Sequence, residues 1–496
     1  MNGGKNMKRK AFSLAALLLA LLQVVSCGGG AVTPSETTTD AGTSAEVTTE
    51  PAAYTPPDVD YGGKTFTVFE DHFNPGYAID KYNYITSDGE NGDVINDAIF
   101  KRTQAVEEAL GVKIRVAQSE HSNYTALINS VNAGDDEYQA ALIIMNYANK
   151  LLGGGLLYDL RSIDTLDLEA DWVNQNANAE YEIAGKQYLM IDASCLRTSV
   201  ASGVIYFNKR MVEENKLDDP YKLVDDGKWT LDNFSKMAKT VSNDLNGDGT
   251  MDDNDQFGFS GSATVLKQAI SSCGGRITTK NKDGISEVTL NTERMTTMID
   301  KMLDVLGDYS VNALPGNFSP KASGGDVFVS VLLPMFKSDK LFMNFNWLFY
   351  AMDLRDMETD FGILPMPKFD EKQDKYYSQL SEGWADMIAV PASASDPEMI
   401  GNVLTAMGYY SGEYVEPELV SRAVTTKSMR DEDSARMIGI INDGIVFDLW
   451  FVYKWGNLIN AVTGTLSAGT NNFASTYASL EKSANEEIAK TFEDLK

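Results

Sequence analysis

Cysteine occurs three times in this 496-residue chain and histidine twice. So few cysteines in so long a chain exclude a disulfide-stapled fold. Two histidines, His72 and His121, leave little room for histidine catalysis or a His-rich zinc site. Basic residues are also scarce. The 42 Lys and Arg stand against 71 Asp and Glu, a formal net charge of −29. That balance argues against nucleic acid as a partner and against direct docking on anionic lipid; its plainest role is a well-solvated acidic surface. No G-x-S-x-G elbow, H-E-x-x-H helix or phosphate loop occurs. What is present is ample apolar material, 43% of residues, enough for more than one packed core.

The N-terminus reads as a targeting segment. Lys8, Arg9 and Lys10 precede an apolar run, Ala11 to Leu22, that is short for a membrane span. Residues 1–26 are therefore expected to be a signal peptide. The junction Val24-Val25-Ser26-Cys27-Gly28 resembles the lipobox of bacterial lipoproteins. That resemblance implies a diacylated Cys27 holding the protein to the outer face of the cell membrane, since two acyl chains suffice for stable attachment. Residues 27–62, rich in Thr, Gly, Pro and Ala with almost no large apolar residue before Tyr54, cannot pack a core and read as a tether.

Beyond the tether, periodicity takes over. Thr65 to Phe69 reads as a strand, Asp93 to Leu110 as a helix, and Val112, Ile114 and Val116 as an alternating strand. A helix over Asn123 to Asn132 and a continuous apolar strand from Ala140 to Met145 complete a β-α-β-α-β order. Such an order predicts a parallel sheet covered on both faces. Ligands of such sheets gather at the carboxyl ends of the strands, here Glu70-Asp71-His72 and Asn146-Tyr147.

The stretch Gly203 to Val241 is the most organised of the chain. Val204 to Phe207 reads as a buried strand. Thr230 is a helix N-cap, followed by Leu231, Phe234, Ala238 and Val241 on one helical face. Its YFNK, Pro220 turn and Trp229-Thr230 helix start keep the order found in the carbohydrate-type solute-binding proteins of bacterial ABC importers, the maltose-binding-protein-like group, which the chain resembles. Residues 134–160 and the DFGILP run at 360–365 are similar to the same group. The resemblance implies an α/β, two-lobed periplasmic-binding-protein type II fold with a ligand cleft at the hinge. One lobe is expected over 63–200 with 385–443, the other over 201–384 with 444–496. It also implies a small neutral solute, a mono- or oligosaccharide, as ligand and ABC permease subunits as partners. On these boundaries Cys195 and Cys273 fall in different lobes and read as separate thiols; a disulfide between them would clamp the hinge.

Sugar clefts use aromatic faces and hydrogen-bonding side chains in a concave site. The candidates are His72, Asn146 and Tyr147 from the first lobe; Arg197, Ser202 and Trp384 from the hinge; and Trp347, Asp448, Trp450 and Trp455 from the second. For each aromatic, core packing is the competing reading, and for Trp347, inside LFMNFNWLFY, a strong one. One metal motif stands apart. Asp244, Asn246, Asp248, Thr250 and Asp255 follow the spacing of an EF-hand calcium loop, with Gly249 at the sharp turn. Asp255 departs from the usual Glu, and the flanks do not read as EF helices, so the expectation is a structural calcium site. A surface glycan-binding lipoprotein without a transporter and a secreted glycosidase are the alternative functions. A glycosidase needs one particular carboxylate pair, and 71 acids single out none.

Overall fold

The computed structural model describes residues 54–72, 76–424 and 432–495. Thr55–Lys496 forms one compact unit, distinct from Met1–Tyr54. The expected signal peptide, Cys27 and most of the tether lie outside the described residues. No helix among the described residues is long and apolar enough to cross a membrane.

Two four-stranded sheets organise the unit. The first is built from β1 (Lys64–His72), β2 (Val112–Glu120) and β3 (Ala140–Ile144). β1 lies between the other two and is parallel to both, with Lys64 opposite Val112 and Val68 opposite Ala140. β3 is buried at every residue, as its unbroken apolar sequence requires. The crossover helix α1 (Val94–Leu110) starts at Asp93, whose side chain accepts from Ile95 N and Asn96 N, and stops at Gly111. That stop needs glycine twice over. Its φ is +63°, and a Cβ there would fall 1.9 Å from Asp60 Oδ1. The second crossover helix is α2 (Thr125–Ala133).

The second sheet has β4 (Gly203–Asn208) near its centre, buried throughout. Thr230 caps helix α3 (Leu231–Val241), which buries Leu231, Phe234, Met237, Ala238 and Val241. Then follow β5 (Phe257–Ser260), helix α4 (Ala263–Ser272) and a small separate hairpin of β6 (Thr278–Lys280) and β7 (Ser286–Val288). Helix α5 (Glu293–Leu306) buries Met295, Met298 and Met302, so the methionine spacing reflects core packing. β8 (Leu341–Trp347) and β9 (Phe361–Leu364) complete the strand order β5-β8-β4-β9. β4 is antiparallel to β8 and β9, while β5 is parallel to β8. The sheet is therefore mixed.

β10 (Asp386–Ala389) returns to the first sheet and pairs antiparallel with β3, Asp386 opposite Ile144. Two chain segments thus cross between the lobes side by side. Ser202 bridges Leu380, Gly203 N donates to Gln379 O at 3.1 Å, and Ser381 N donates to Ala201 O at 2.9 Å. Helix α6 (Pro397–Tyr414) packs on α1 of the first lobe, where the buried Arg102 joins them by donating to Ser411 Oγ at 2.8 Å. Helix α7 (Glu416–Val424) follows. Helix α8 (Glu432–Asp443) corrects the expected boundary at 443. It packs on β9 of the second lobe, with Tyr221 and Ser434 hydroxyls 3.1 Å apart, so the chain recrosses before this helix. The C-terminal part is helical, ending in α9 (Phe473–Asp494). Cys195 and Cys273 are both buried and unbonded, one in each lobe.

Candidate functional site

The carboxyl end of β3 meets the second crossing segment. Met145 N donates to Ala385 O at 2.9 Å and Asn146 N to Glu382 O at 2.7 Å. These bonds fix the loop Ser381–Trp384 against the first lobe. Beside it lies a cavity of about 300 Å³. Asn146 and His121 line it from the first lobe, and Thr264, Lys267, Gln268 and Trp347 from the second. Gln379 and the segment Ser381–Trp384 form the crossing side. Thr264 and Lys267 stand in the first turns of α4, just past the carboxyl end of β5, so both lobes contribute by the same strand-end geometry.

The strongest electrostatic feature of this wall is Glu382. Its carboxylate is paired with Lys267 through Oε1, and with Lys454 at 2.9 Å through Oε2. Lys454 also donates to Asn146 Oδ1 at 2.8 Å. Burial would raise the carboxyl of Glu382, but the two ammonium groups outweigh it and hold the group below its ordinary range. Asn146 from the first lobe, Lys267 and Lys454 from the second and Glu382 from the crossing thus share a hydrogen-bonded cluster. Lys454 sits in the left-handed region at φ +57°, at the end of the short helix Trp450–Tyr453.

Aromatic rings form another part of the wall. Trp384 is 7% exposed, and its ring lies 4.7 Å from Phe349 and 5.6 Å from Tyr77, centroid to centroid. Trp347, half-buried at the end of β8, packs edge-on to Phe345 at 5.2 Å. Gly203, where the first crossing becomes β4, faces Gln268. A Cβ at 203 would sit 2.6 Å from Gln268 Oε1, an acceptor that is buried without a hydrogen-bond partner. His121 is held from behind. Its Nδ1 lies 3.3 Å from Asp71, and its Nε2 lies 3.1 Å from the Tyr147 hydroxyl.

Asn146, Trp347 and Trp384 therefore come together at the cavity, with Tyr147 one layer back against His121. Five other candidates lie elsewhere, and each has a physical reason. Arg197 is buried in the first lobe, donating to Asp386 at 2.9 Å and to Glu70 at 3.1 Å, as a strut between β10 and β1. Ser202 is 1% exposed under the crossing, its hydroxyl turned inward. Asp448 is buried and accepts from Ile277 N at 2.7 Å, Thr278 Oγ1 at 2.6 Å and Trp450 N at 2.9 Å. Trp450 donates to Trp455 O at 2.8 Å and braces that turn, and Trp455 donates to Thr491 Oγ1 at 3.0 Å and pins α9 to the body. The His72 side chain lies outside what is described.

Sequence reasoning missed Lys267, Gln268, Gln379, Glu382, Lys454 and the inward role of His121. The strand-end rule that found Asn146 also leads to Thr264 and Lys267 once it is applied to the QFGFSG run after the 244–255 loop.

The loop at 244–255 has no gathered ligand set. Asp244 accepts from Gly247 N and Gly249 N, Asn246 from Asp248 N, and Asp248 from Thr250 N. Asp255 is buried and accepts from Leu245 N and Asp252 N. Among the described residues, no group of three or more His, Cys, Asp and Glu side chains is placed to hold a metal ion.

No protein-family model and no curated protein sequence matches the chain. Solved structures do. The galacto-N-biose-/lacto-N-biose I-binding protein of the ABC transporter from Bifidobacterium longum, in complex with lacto-N-biose, is similar with TM-score 0.58 at 13% identity. That match covers 87% of this chain and 98% of the other. UgpB from Mycobacterium tuberculosis, in complex with glycerophosphocholine, is similar with TM-score 0.56 at 12% identity, covering 86% and 99%. The ABC substrate-binding protein Lmo0181 from Listeria monocytogenes, in complex with cycloalternan, is similar with TM-score 0.53 at 15% identity, covering 87% and 99%. These likenesses span almost the whole of each neighbour and establish the two-lobed fold of solute-binding proteins.

Proposed function

We propose that the chain captures an extracellular carbohydrate in the interlobe cavity and hands it to an ABC permease. The observation that carries this reading is a cavity between two lobes with two tryptophans and several hydrogen-bonding side chains in its wall. Aromatic faces suit the C–H patches of sugars, and carboxamides and charged groups suit their hydroxyls. The neighbours in structure that bind lacto-N-biose and cycloalternan support the same class of solute. Attachment through Cys27 completes the proposal and rests on the lipobox-like junction. A solute touching both lobes favours the closed arrangement by its differential affinity. Trp347 is the more accessible of the two tryptophans, so Trp347→Ala is expected to weaken binding of the best sugar from a panel by roughly 1–3 kcal/mol. Calorimetry measures that loss, and small-angle scattering with and without saturating sugar measures closure. Full affinity in the variant removes Trp347 from the site, and identical scattering profiles remove closure.

Calcium at the 244–255 loop is a second, separate proposal, supported by its spacing alone. Because each carboxylate oxygen of Asp244 and Asp255 accepts only one amide, a second lone pair remains on each. Calcium would have to draw these groups together. Ligand present at 100 times its dissociation constant stabilises the fold by about 2.7 kcal/mol. The melting temperature is therefore expected to rise with calcium and to fall with chelator, and the response is expected to vanish in Asp248→Ala. An unchanged melting temperature under chelator disposes of the site.

A further inference from the structure

Only one carboxylate lines the cavity among the described residues, that of Glu382, and two lysines are bonded to it. The three groups are shielded to a similar degree, with side chains 22%, 16% and 17% exposed for Lys267, Glu382 and Lys454. A neutral binding site would need one ammonium there, or two carboxylates. The cluster instead keeps one positive charge in excess, inside a chain whose net charge is −29. An ammonium has three donors. Lys454 directs one to Glu382 and one to Asn146; Lys267, which itself lines the cavity, directs one to Glu382. The other nearby carboxylates face inward. Asp71, buried behind the cavity-lining His121 at 3.3 Å, accepts from Tyr124 Oη at 2.6 Å and from Ser122 N at 3.0 Å, while Glu70 and Asp386 hold Arg197.

Resting on the carbohydrate reading above, we propose that the solute is a sugar bearing a single negative charge, and that Lys267 receives it. A monoanion balances the surplus charge of the cluster, whereas a neutral sugar leaves a shielded ammonium partly unpaired, which is unfavourable. Contact with Lys267 acts at a few ångströms, while repulsion from the acidic surface is damped beyond roughly 8 Å at physiological salt. The neutral solute expected from the sequence resemblance is thereby replaced by a charged one. A carboxylate of a uronic acid and an O-sulfate ester share this chemistry.

The test titrates the full chain, by calorimetry, with matched pairs of oligosaccharides: neutral galacto- and gluco-oligosaccharides, their uronic acid counterparts, and their mono-O-sulfated counterparts. The expected result is at least a tenfold preference for one acidic class over its neutral match, shrinking as ionic strength rises. Lys267→Gln is expected to abolish the preference, and Glu382→Gln, which removes the competing carboxylate, to increase it. Wild-type binding of the uronate or the sulfate decides which anion is meant. Equal or stronger binding of the neutral member overturns the proposal while leaving the carbohydrate reading intact. Binding of no sugar overturns both. If Lys267→Gln fails to fold, the wild-type preference and its salt dependence still decide the question.

Discussion

Arg197→Met is expected to destabilise the protein by about 3–5 kcal/mol, the usual consequence of removing one partner from a buried charge cluster. Arg197 is 4% exposed and joins the two strands that flank β3. Its Nε donates to Asp386 on β10 and its Nη2 to Glu70 on β1. Burial works against its charge, but Asp386 and Glu70 outweigh that effect and keep the guanidinium firmly protonated. Methionine fills a similar volume without the charge, so two carboxylates would remain buried and uncompensated. Denaturant unfolding of wild type and variant measures the difference. The deficit is expected to shrink near pH 5, where the Asp386 carboxyl, which burial already pushes up, takes up a proton more readily. A variant within 0.5 kcal/mol of wild type at pH 7.5, on the order of an ordinary surface substitution, would show that the cluster contributes nothing beyond its volume.

The second large effect is a rise in stability as pH falls from 7.5 toward 5. Burial is the main cause that raises several carboxyls, among them Asp192, Asp353 and Asp386, each to about 6, and Glu180 to about 7. In the unfolded chain such groups ionise near 4. Between those values the folded state binds more protons than the unfolded state, so stability declines as pH rises through this window and levels off above it. Asp192 alone corresponds to roughly 2–3 kcal/mol, at about 1.36 kcal/mol for each pH unit between folded and unfolded values. Carboxyls held low, such as Asp396 beside Lys64, act only further down the scale, where their stabilisation is lost as they protonate. Melting temperatures between pH 4.5 and 8 are expected to peak on the acid side, and Asp192→Asn is expected to flatten the slope. A profile that is level, or that climbs toward pH 8, contradicts the assignment.

How much of this was readable in advance depends on the kind of signal. Local periodicity carried the strands and helices. Val204 to Phe207, the Thr230 cap and the methionine face of α5 needed only neighbours in sequence. The strand-end rule led to Asn146, and the resemblance around the crossings led to Trp384. Burial did not announce itself. Trp450 and Trp455 have the same side chain as Trp347, yet Trp455 holds α9, Trp450 braces the turn that carries Trp455, and of the three only Trp347 reaches the cavity. Arg197 near the hinge and Asp448 in the second lobe were attractive as polar groups, but each satisfies buried partners that no local pattern reveals. Lys267, Glu382 and Lys454 come from three remote segments, and nothing in the spacing of any one of them points to the other two. The helix at 432–443 was assigned to the wrong lobe because an amphipathic stripe states that a face is buried, not against what.

The position of β10 in the first sheet has a consequence for how the chain reaches its native state. β3 ends at residue 144, and its second neighbour, β10, begins at residue 386, with the whole second sheet between them in sequence. Contacts of such wide sequence separation form late, since a long loop must close before they are rewarded. Until residues 386–389 are synthesised and docked, one edge of Ala140–Ile144 is an unpaired, wholly apolar template for other strands. A nascent or truncated chain ending before residue 386 therefore carries a sticky edge that the finished protein conceals, and its first sheet matures only after every strand of the second has been made.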